Sequence, residues 1–425
     1  MTLNVSHQPG ESRQDKRYNF ASCLIDSIGW PLGMIFFSQA TILPIFLRRL
    51  GASDIAVGAL PALLNLLMFL PGLLVVNYLG RRHRARGYLI WVAIAERLAL
   101  LPLAILTPIL AGSHPGRLLT LVFVCFGFHG LFMGLNQPAY WVVVGKTIPA
   151  HWRGRLYGFA GGVGGILCLG FERLLNHLLS GPGNGFPLGY AHGFLIGFAI
   201  LLISVLPLGF VREPSSLRPE RGERAEHLLR ESARVWRTNH AFRRFLYGQV
   251  ALMAASLAGP FYILAAVNSL HAQPSDVAGY TAALGFAAAF GGLVWGAWAD
   301  RSGNKVVLLA STALGILAPA GALLAPSAAV FYAVFVAMAL SGAGAGITGS
   351  NIVMEFASEA HEIPLYTSIY NAVTAIPRAA APLAGGLLAG ATHGYRAGFV
   401  VSMILIAAAF LLTLRVEEPR KKATA

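Results

Sequence analysis

Gly296-Ala-Trp-Ala-Asp300-Arg301-Ser-Gly303-Asn-Lys305 is a short polar turn set between two long apolar runs. It holds an acid, two bases and a glycine free to take positive φ. Residues 277–299 lead into it and residues 305–324 lead out. Each run is close to the ~20 residues that an α-helix needs to cross ~30 Å of hydrocarbon. The local reading is therefore two membrane-length helices joined by a tight turn. The fold then depends on whether the rest of the chain repeats this unit.

It does. Apolar runs recur at about 18–47, 55–79, 87–110, 118–144, 156–179 and 188–211. After an Arg- and Glu-rich stretch at 212–243 they resume at about 245–270, 277–299, 305–324, 327–354, 366–391 and 394–414. The 425 residues are 56% hydrophobic and only 12% charged, whereas an ordinary soluble domain is about a quarter charged. The reading is an all-α integral membrane protein with twelve transmembrane helices, six on each side of a linker. Residues 1–17 are a polar tail without the apolar core of a cleavable signal peptide. Residues 18–211 form the first bundle, 212–243 a linker that is helical over 223–236, 244–414 the second bundle, and 415–425 a tail. Cys23, Cys125 and Cys168 lie in apolar runs without metal-ligand spacing and read as buried thiols.

The pattern G-x-x-x-D-R-x-G-x-K at Gly296–Lys305 closely resembles the loop motif of the major facilitator superfamily. In that family the motif sits on the cytoplasmic side, between the second and third helices of a six-helix half. The resemblance implies two pseudo-symmetric bundles that are diverged repeats. The corresponding first-half loop reads Asn77-Tyr-Leu-Gly80-Arg81-Arg82-His83-Arg84-Ala-Arg86. Its glycine and basic cluster are kept, but Asn77 stands where the acid belongs. Ile148-Pro149-Ala-His-Trp-Arg153-Gly154-Arg155 resembles a second family segment, and Pro382-Leu-Ala-Gly385-Gly386 a third. The family's drug–proton antiporters usually carry an arginine in helix 4 and a Gly-Pro-x-x-Gly-Gly stretch in helix 5. Here helix 4 has His129 and no arginine, and helix 5 has Gly161-Gly162-Val-Gly164-Gly165 without the proline.

Charge orients the chain. Of the 32 Lys and Arg residues, 25 fall in segments on the side of the termini and linker, four (Arg48, Arg49, Arg117, Arg396) on the other side, and three within helices. The positive-inside rule puts both termini and the linker in the cytoplasm. The net charge of +14 then reflects contact with anionic headgroups, and no nucleic-acid partner is expected. The chain has no G-x-x-x-x-G-K-[ST] stretch, which argues against an ATP-driven pump. No metal, cofactor or catalytic site is expected, so the protein is not read as an enzyme.

Candidate residues lie inside the helices. Thr367, Asn371, Thr374 and Arg378 share one helical face at spacings of four, three and four. Arg378 lies ~18 Å along its helix from Tyr366 and so near mid-membrane. A cation there faces a cavity or an acid. Arg378, Asn371 and Thr374 therefore read as a site for an anionic group, or as part of an internal ion pair. His129, Asn136 and Tyr140 in helix 4 and Asn351 in helix 10 are further cavity candidates. Asp26, ~10 Å deep, and Glu96 are the candidates for proton coupling, with structural pairing to Arg97 as the other reading. At the cytoplasmic gate the family's two-fold arrangement brings Asp300, Arg301, Gly303 and Lys305 opposite Arg153 and Arg155. It also brings Arg82 and Arg84 opposite Glu359 and Glu362. The expected function is secondary transport of a small solute, polar or anionic, by alternating access. Protons are the candidate coupling ion, and the setting is a monomer in a bacterial inner membrane. Efflux of an amphipathic compound, and a sensor or assembly factor of the same fold, remain as alternatives.

Overall fold

The structure is a computed structural model that describes residues 13–80, 84–181, 185–214, 225–357, 359 and 362–416. Among these residues it is entirely helical. The first half runs α1 (Arg13–Ile35), α2 (Ile42–Arg49), α3 (Asp54–Gly80), α4 (Arg86–Leu98), α5 (Leu101–Ser113), α6 (Pro115–Thr147), α7 (Ala150–Ser180) and α8 (Leu188–Val205). The linker helix α9 is Ala225–Thr238. The second half runs α10 (His240–Ala254), α11 (Phe261–Leu270), α12 (Pro274–Ser302), α13 (Asn304–Gly315), α14 (Leu317–Leu324), α15 (Val330–Glu355), α16 (Ile363–Thr392) and α17 (Arg396–Leu414). Among the described residues ten helical stretches are long and apolar enough to cross a membrane, with α4–α5, α10–α11 and α13–α14 each counting as one.

One apolar run is not a single helix. Residues 18–47 read as one span, but the chain leaves the helix after Ile35 and restarts at Ile42. Pro44 explains the restart: within an unbroken helix its ring would meet the carbonyl of Ala40, whereas the first turn of α2 tolerates it. The carbonyl of Ser38 accepts the N–H groups of Ile42 and Leu43 across the break, at 3.1 and 2.9 Å.

The halves meet along two seams, α3 on α16 and α7 on α12. The shared core is lopsided. One buried cluster joins Phe46, Phe126 and Phe194 of the first half to Phe261, Tyr262 and Tyr280 of the second. It lies toward the face opposite the motif turn. On the motif face the cores are separate. Cys23, Leu89, Ile148 and Leu156 cluster within the first half, Phe242, Leu246 and Ile352 within the second, and Trp295 and Val307 beside the turn itself. The two halves thus share one buried apolar cluster at one face and keep separate clusters at the other.

Candidate functional site

The densest buried polar group in the first half is built around Arg97 at the end of α4. Its guanidinium is fully buried. Nη2 donates to Asp26 Oδ1 at 2.9 Å, Nε to the Leu201 carbonyl at 3.0 Å and Nη1 to the Ala93 carbonyl at 3.0 Å. Glu96 Oε2 lies 3.5 Å from Nη1. Glu96 also accepts Trp30 Nε1 at 3.0 Å and Asn136 Nδ2 at 2.6 Å. Ser204 Oγ donates to Asp26 at 3.3 Å. Two carboxylates therefore share one guanidinium, and neutral donors from α1, α6 and α8 fill the remaining lone pairs. Neighbours in sequence point different ways on a helix, yet the short reach of Glu96 and the long reach of Arg97 let both enter one network.

His129 and Tyr140 stand around this group. His129 is fully buried; its Nδ1 lies 3.2 Å from the Glu96 carbonyl and its Nε2 has no partner among the described residues. Tyr140 shares a 2.9 Å hydrogen bond with Ser27. Of the first-half candidates, then, Asp26, Glu96, His129 and Asn136 come together, with Tyr140 on the flank.

Among the described residues Arg378 pairs with no acid. Its guanidinium stacks over the Phe69 ring, 4.8 Å from the centroid, across the α3–α16 seam. Pro382 removes the N–H that would serve the Arg378 carbonyl. Asn65 Nδ2 supplies the missing donor at 3.2 Å, again from the other half. The expected stripe is divided. Asn371 is exposed, but Thr374 is buried and its hydroxyl donates back to the Tyr370 carbonyl at 2.7 Å.

The motif turn binds its own half. Gly303 takes φ +88°, a value that favours glycine. The turn puts Asn304 into the core, where its Nδ2 donates to Glu355 at 2.7 Å and its Oδ1 accepts Asn351 Nδ2 at 3.2 Å. Asn351 is thereby committed to the turn. Lys305 Nζ donates to the Leu414 carbonyl at 3.3 Å, a cation placed at the end of α17. Asp300 and Arg301 are exposed and make no ion pair among the described residues. Arg153 holds the Ile148 and Gly145 carbonyls at 3.1 and 2.8 Å, and Arg155 is exposed. Hence no Asp300–Arg153 or Asp300–Arg155 pair is present among the described residues. Arg84 and Glu359 are exposed and Glu362 is half-buried, with the Glu359 N–H 3.4 Å from Glu362 Oε2. Arg82 lies outside the described residues.

Sequence reasoning missed two groups. Glu213, in the charged stretch before the linker helix, is buried; it accepts the Ala85 and Arg86 N–H groups at 3.0 and 2.7 Å and Lys146 Nζ at 3.0 Å. It supplies an acid at the start of α4, in the half where Asn77 stands in place of the motif acid. On the face of the shared cluster Arg48 pairs with Asp54 and donates to Tyr395 of the other half at 3.1 Å. Thr281 Oγ1 there donates to Thr41 at 2.8 Å, also across the halves. Only the basic-rich sequence around each hinted at a partner.

Residues 245–425 match the model of the Major Facilitator Superfamily. No curated protein matches the chain. Solved structures match it over nearly its full length. A bacterial homolog to the human lysosomal transporter Spinster, inward-facing and unoccupied, is 16% identical with TM-score 0.65, covering 96% of this chain and 98% of that one. A D-xylose-proton symporter is 15% identical with TM-score 0.63, covering 95% and 98%. The nucleoside transporter NupG is 12% identical with TM-score 0.63, covering 96% and 99%. At these identities the likeness is one of fold. With the motif turn and the match over residues 245–425, it shows a second half similar to the Major Facilitator Superfamily within a chain that has the fold of these transporters.

Proposed function

We propose that the protein is a secondary transporter of twelve transmembrane helices in two six-helix bundles, moving a small polar solute with an anionic group by alternating access. The observation that carries this reading is the lopsided core: one apolar cluster shared by both halves at one face and separate clusters at the other. Two bundles sealed at one end and parted at the other are one of the two states that alternating access requires. With the positive-inside rule the motif face is cytoplasmic, in a bacterial inner membrane, and this state is open inward. Arg378, held by a ring and not by an acid, is the cation offered to the solute, with Asn371 beside it. The sugar and nucleoside named for two structural neighbours are hydrogen-bonding solutes of the size meant here.

Asp26 and Glu96 are the proposed proton-coupling groups. Their network holds two carboxylates and one guanidinium, so a proton is the smallest charge that balances it. When the inner face closes, Asp300 and Arg301 meet Arg153 and Arg155, and Arg82 and Arg84 meet Glu359 and Glu362.

The test has two steps. A thermal-shift screen of the purified protein against small anionic and polar metabolites identifies a binder. Counterflow of that binder in proteoliposomes then shows transport. Arg378→Ala should abolish counterflow while leaving the melting temperature largely intact. Arg378→Lys should restore it in part, because lysine lacks the planar fork. Normal counterflow by Arg378→Leu removes Arg378 from the site. A binder that stabilises the protein but never exchanges across the bilayer makes it a sensor.

A further inference from the structure

A cavity of about 610 Å³ opens on the motif face of the second half, apart from the seam between the halves. Its wall includes Asn239, His240 and Arg244 around the start of α10, Tyr366 on α16 and Arg415 just past α17. These elements are distant in sequence, and the wall is fixed by packing. Asn239 caps α10 by accepting the Phe242 N–H at 3.0 Å and donates to the Tyr366 hydroxyl at 3.1 Å. The Phe242 and Tyr366 rings meet edge-on at 4.8 Å behind it.

The charges in this wall are unbalanced. Arg243, the neighbour of Arg244, is spent locally: it donates to the Trp236 carbonyl at 3.0 Å and contacts His240 Nδ1 at 2.7 Å. Arg244 and Arg415 have no hydrogen-bond or ion-pair partner among the described residues. Among the described residues no acidic side chain lines the cavity. Arg244 and Arg415, both exposed, line the same recess, and their planar forks match phosphate oxygens. Beside the mouth, Trp236 meets the exposed Tyr247 edge-on at 6.0 Å, an aromatic pair of the kind that sits at headgroup level.

We infer that this cavity is a phosphate-binding site in which Arg244 and Arg415 clamp a phosphate group, carried by an anionic lipid headgroup or by a free phosphate ion. The site is separate from the proposed solute path and stands whether or not Arg378 binds the solute.

The full-length protein, purified in mild detergent, is tested as wild type, as Arg244→Gln/Arg415→Gln, and as Arg155→Gln/Arg301→Gln. The last variant removes the same charge from exposed residues elsewhere on the motif face. Native mass spectrometry follows retention of phosphatidylglycerol against phosphatidylcholine, and thermal shift follows inorganic phosphate against chloride at equal ionic strength. Wild type and the Arg155/Arg301 variant should retain phosphatidylglycerol at least fivefold more than the Arg244/Arg415 variant, with no such difference for phosphatidylcholine; this marks the lipid as the source. Stabilisation by phosphate that the Arg244/Arg415 variant alone loses, without selective lipid retention, marks the free ion. Equal responses from all three proteins, or no response of wild type to either ligand, overturns the site.

Discussion

Arg97 shows how one buried residue divides structural from functional readings. Its guanidinium serves two backbone carbonyls and two carboxylates, all out of water. Removing it strands both acids. Arg97→Ala should therefore cost about 3–5 kcal/mol, the usual penalty for an uncompensated buried charge, seen as a large fall in melting temperature in detergent. Glu96→Gln should behave differently. The Gln amide oxygen can still accept Trp30 Nε1 or Asn136 Nδ2, and the Asp26–Arg97 pair remains at 2.9 Å. A loss below about 1.5 kcal/mol is expected, comparable with one net hydrogen bond. If Glu96→Gln melts as early as Arg97→Ala, the network is purely structural. If it folds well but its solute uptake no longer responds to an imposed pH gradient, Glu96 is the coupling group.

At the scale of elements, each special turn or kink is completed by a partner from far along the chain. Gly303 makes the motif turn and Asn304 anchors it on Glu355. Asn304→Ala should cost about 1–3 kcal/mol, because it strips a buried donor from Glu355, and chemical-denaturation midpoints in detergent will register it. The Pro382 kink frees the Arg378 carbonyl and Asn65 answers it from the first half. This pattern sets what was legible in sequence. The helices and the motif turn are local properties of apolar runs and of Gly303, so they could be read directly. The break at 36–41 was missed because Pro44 acts on a carbonyl four residues before it, and the short Ser38-Gln39-Ala40-Thr41 stretch was read as part of the surrounding apolar run. Arg378 was legible as a mid-membrane cation, but its neighbour Phe69 lies on a helix of the other half. Thr374 had the right spacing for the cavity, yet spacing alone does not show that its hydroxyl turns back to Tyr370. Glu213 was hidden among the charges of a stretch read as linker.

At the scale of the whole molecule the two faces are opposed, and the opposition rests on close backbone contact at the sealed one. A Cβ at Gly58 would lie 2.1 Å from the Pro382 carbonyl oxygen, and one at Gly386 would lie 2.5 Å from that of Asp54. Neither neighbour is a flexible side chain, so a bulky residue at Gly58 cannot coexist with this packing. Gly58→Leu should push the molecule toward the state parted at that face and closed at the motif face. A cysteine at position 371, where the exposed Asn371 sits on α16, reports the change; Cys23, Cys125 and Cys168 are buried and add little background. Labelling of Asn371→Cys by a membrane-impermeant thiol reagent, supplied from the motif face, should fall when Gly58→Leu is added. Closure also draws on the proposed gate. Adding Asp300→Arg, which sets like charges against Arg153 and Arg155, should raise labelling again by about twofold to fivefold, as expected for exposed pairs contributing ~0–1 kcal/mol each. A further Arg155→Glu should bring it back down. Unchanged labelling in Gly58→Leu would mean that the sealed face does not govern the crevice. A fall that Asp300→Arg leaves untouched would keep the two-state scheme and remove the charge gate from it.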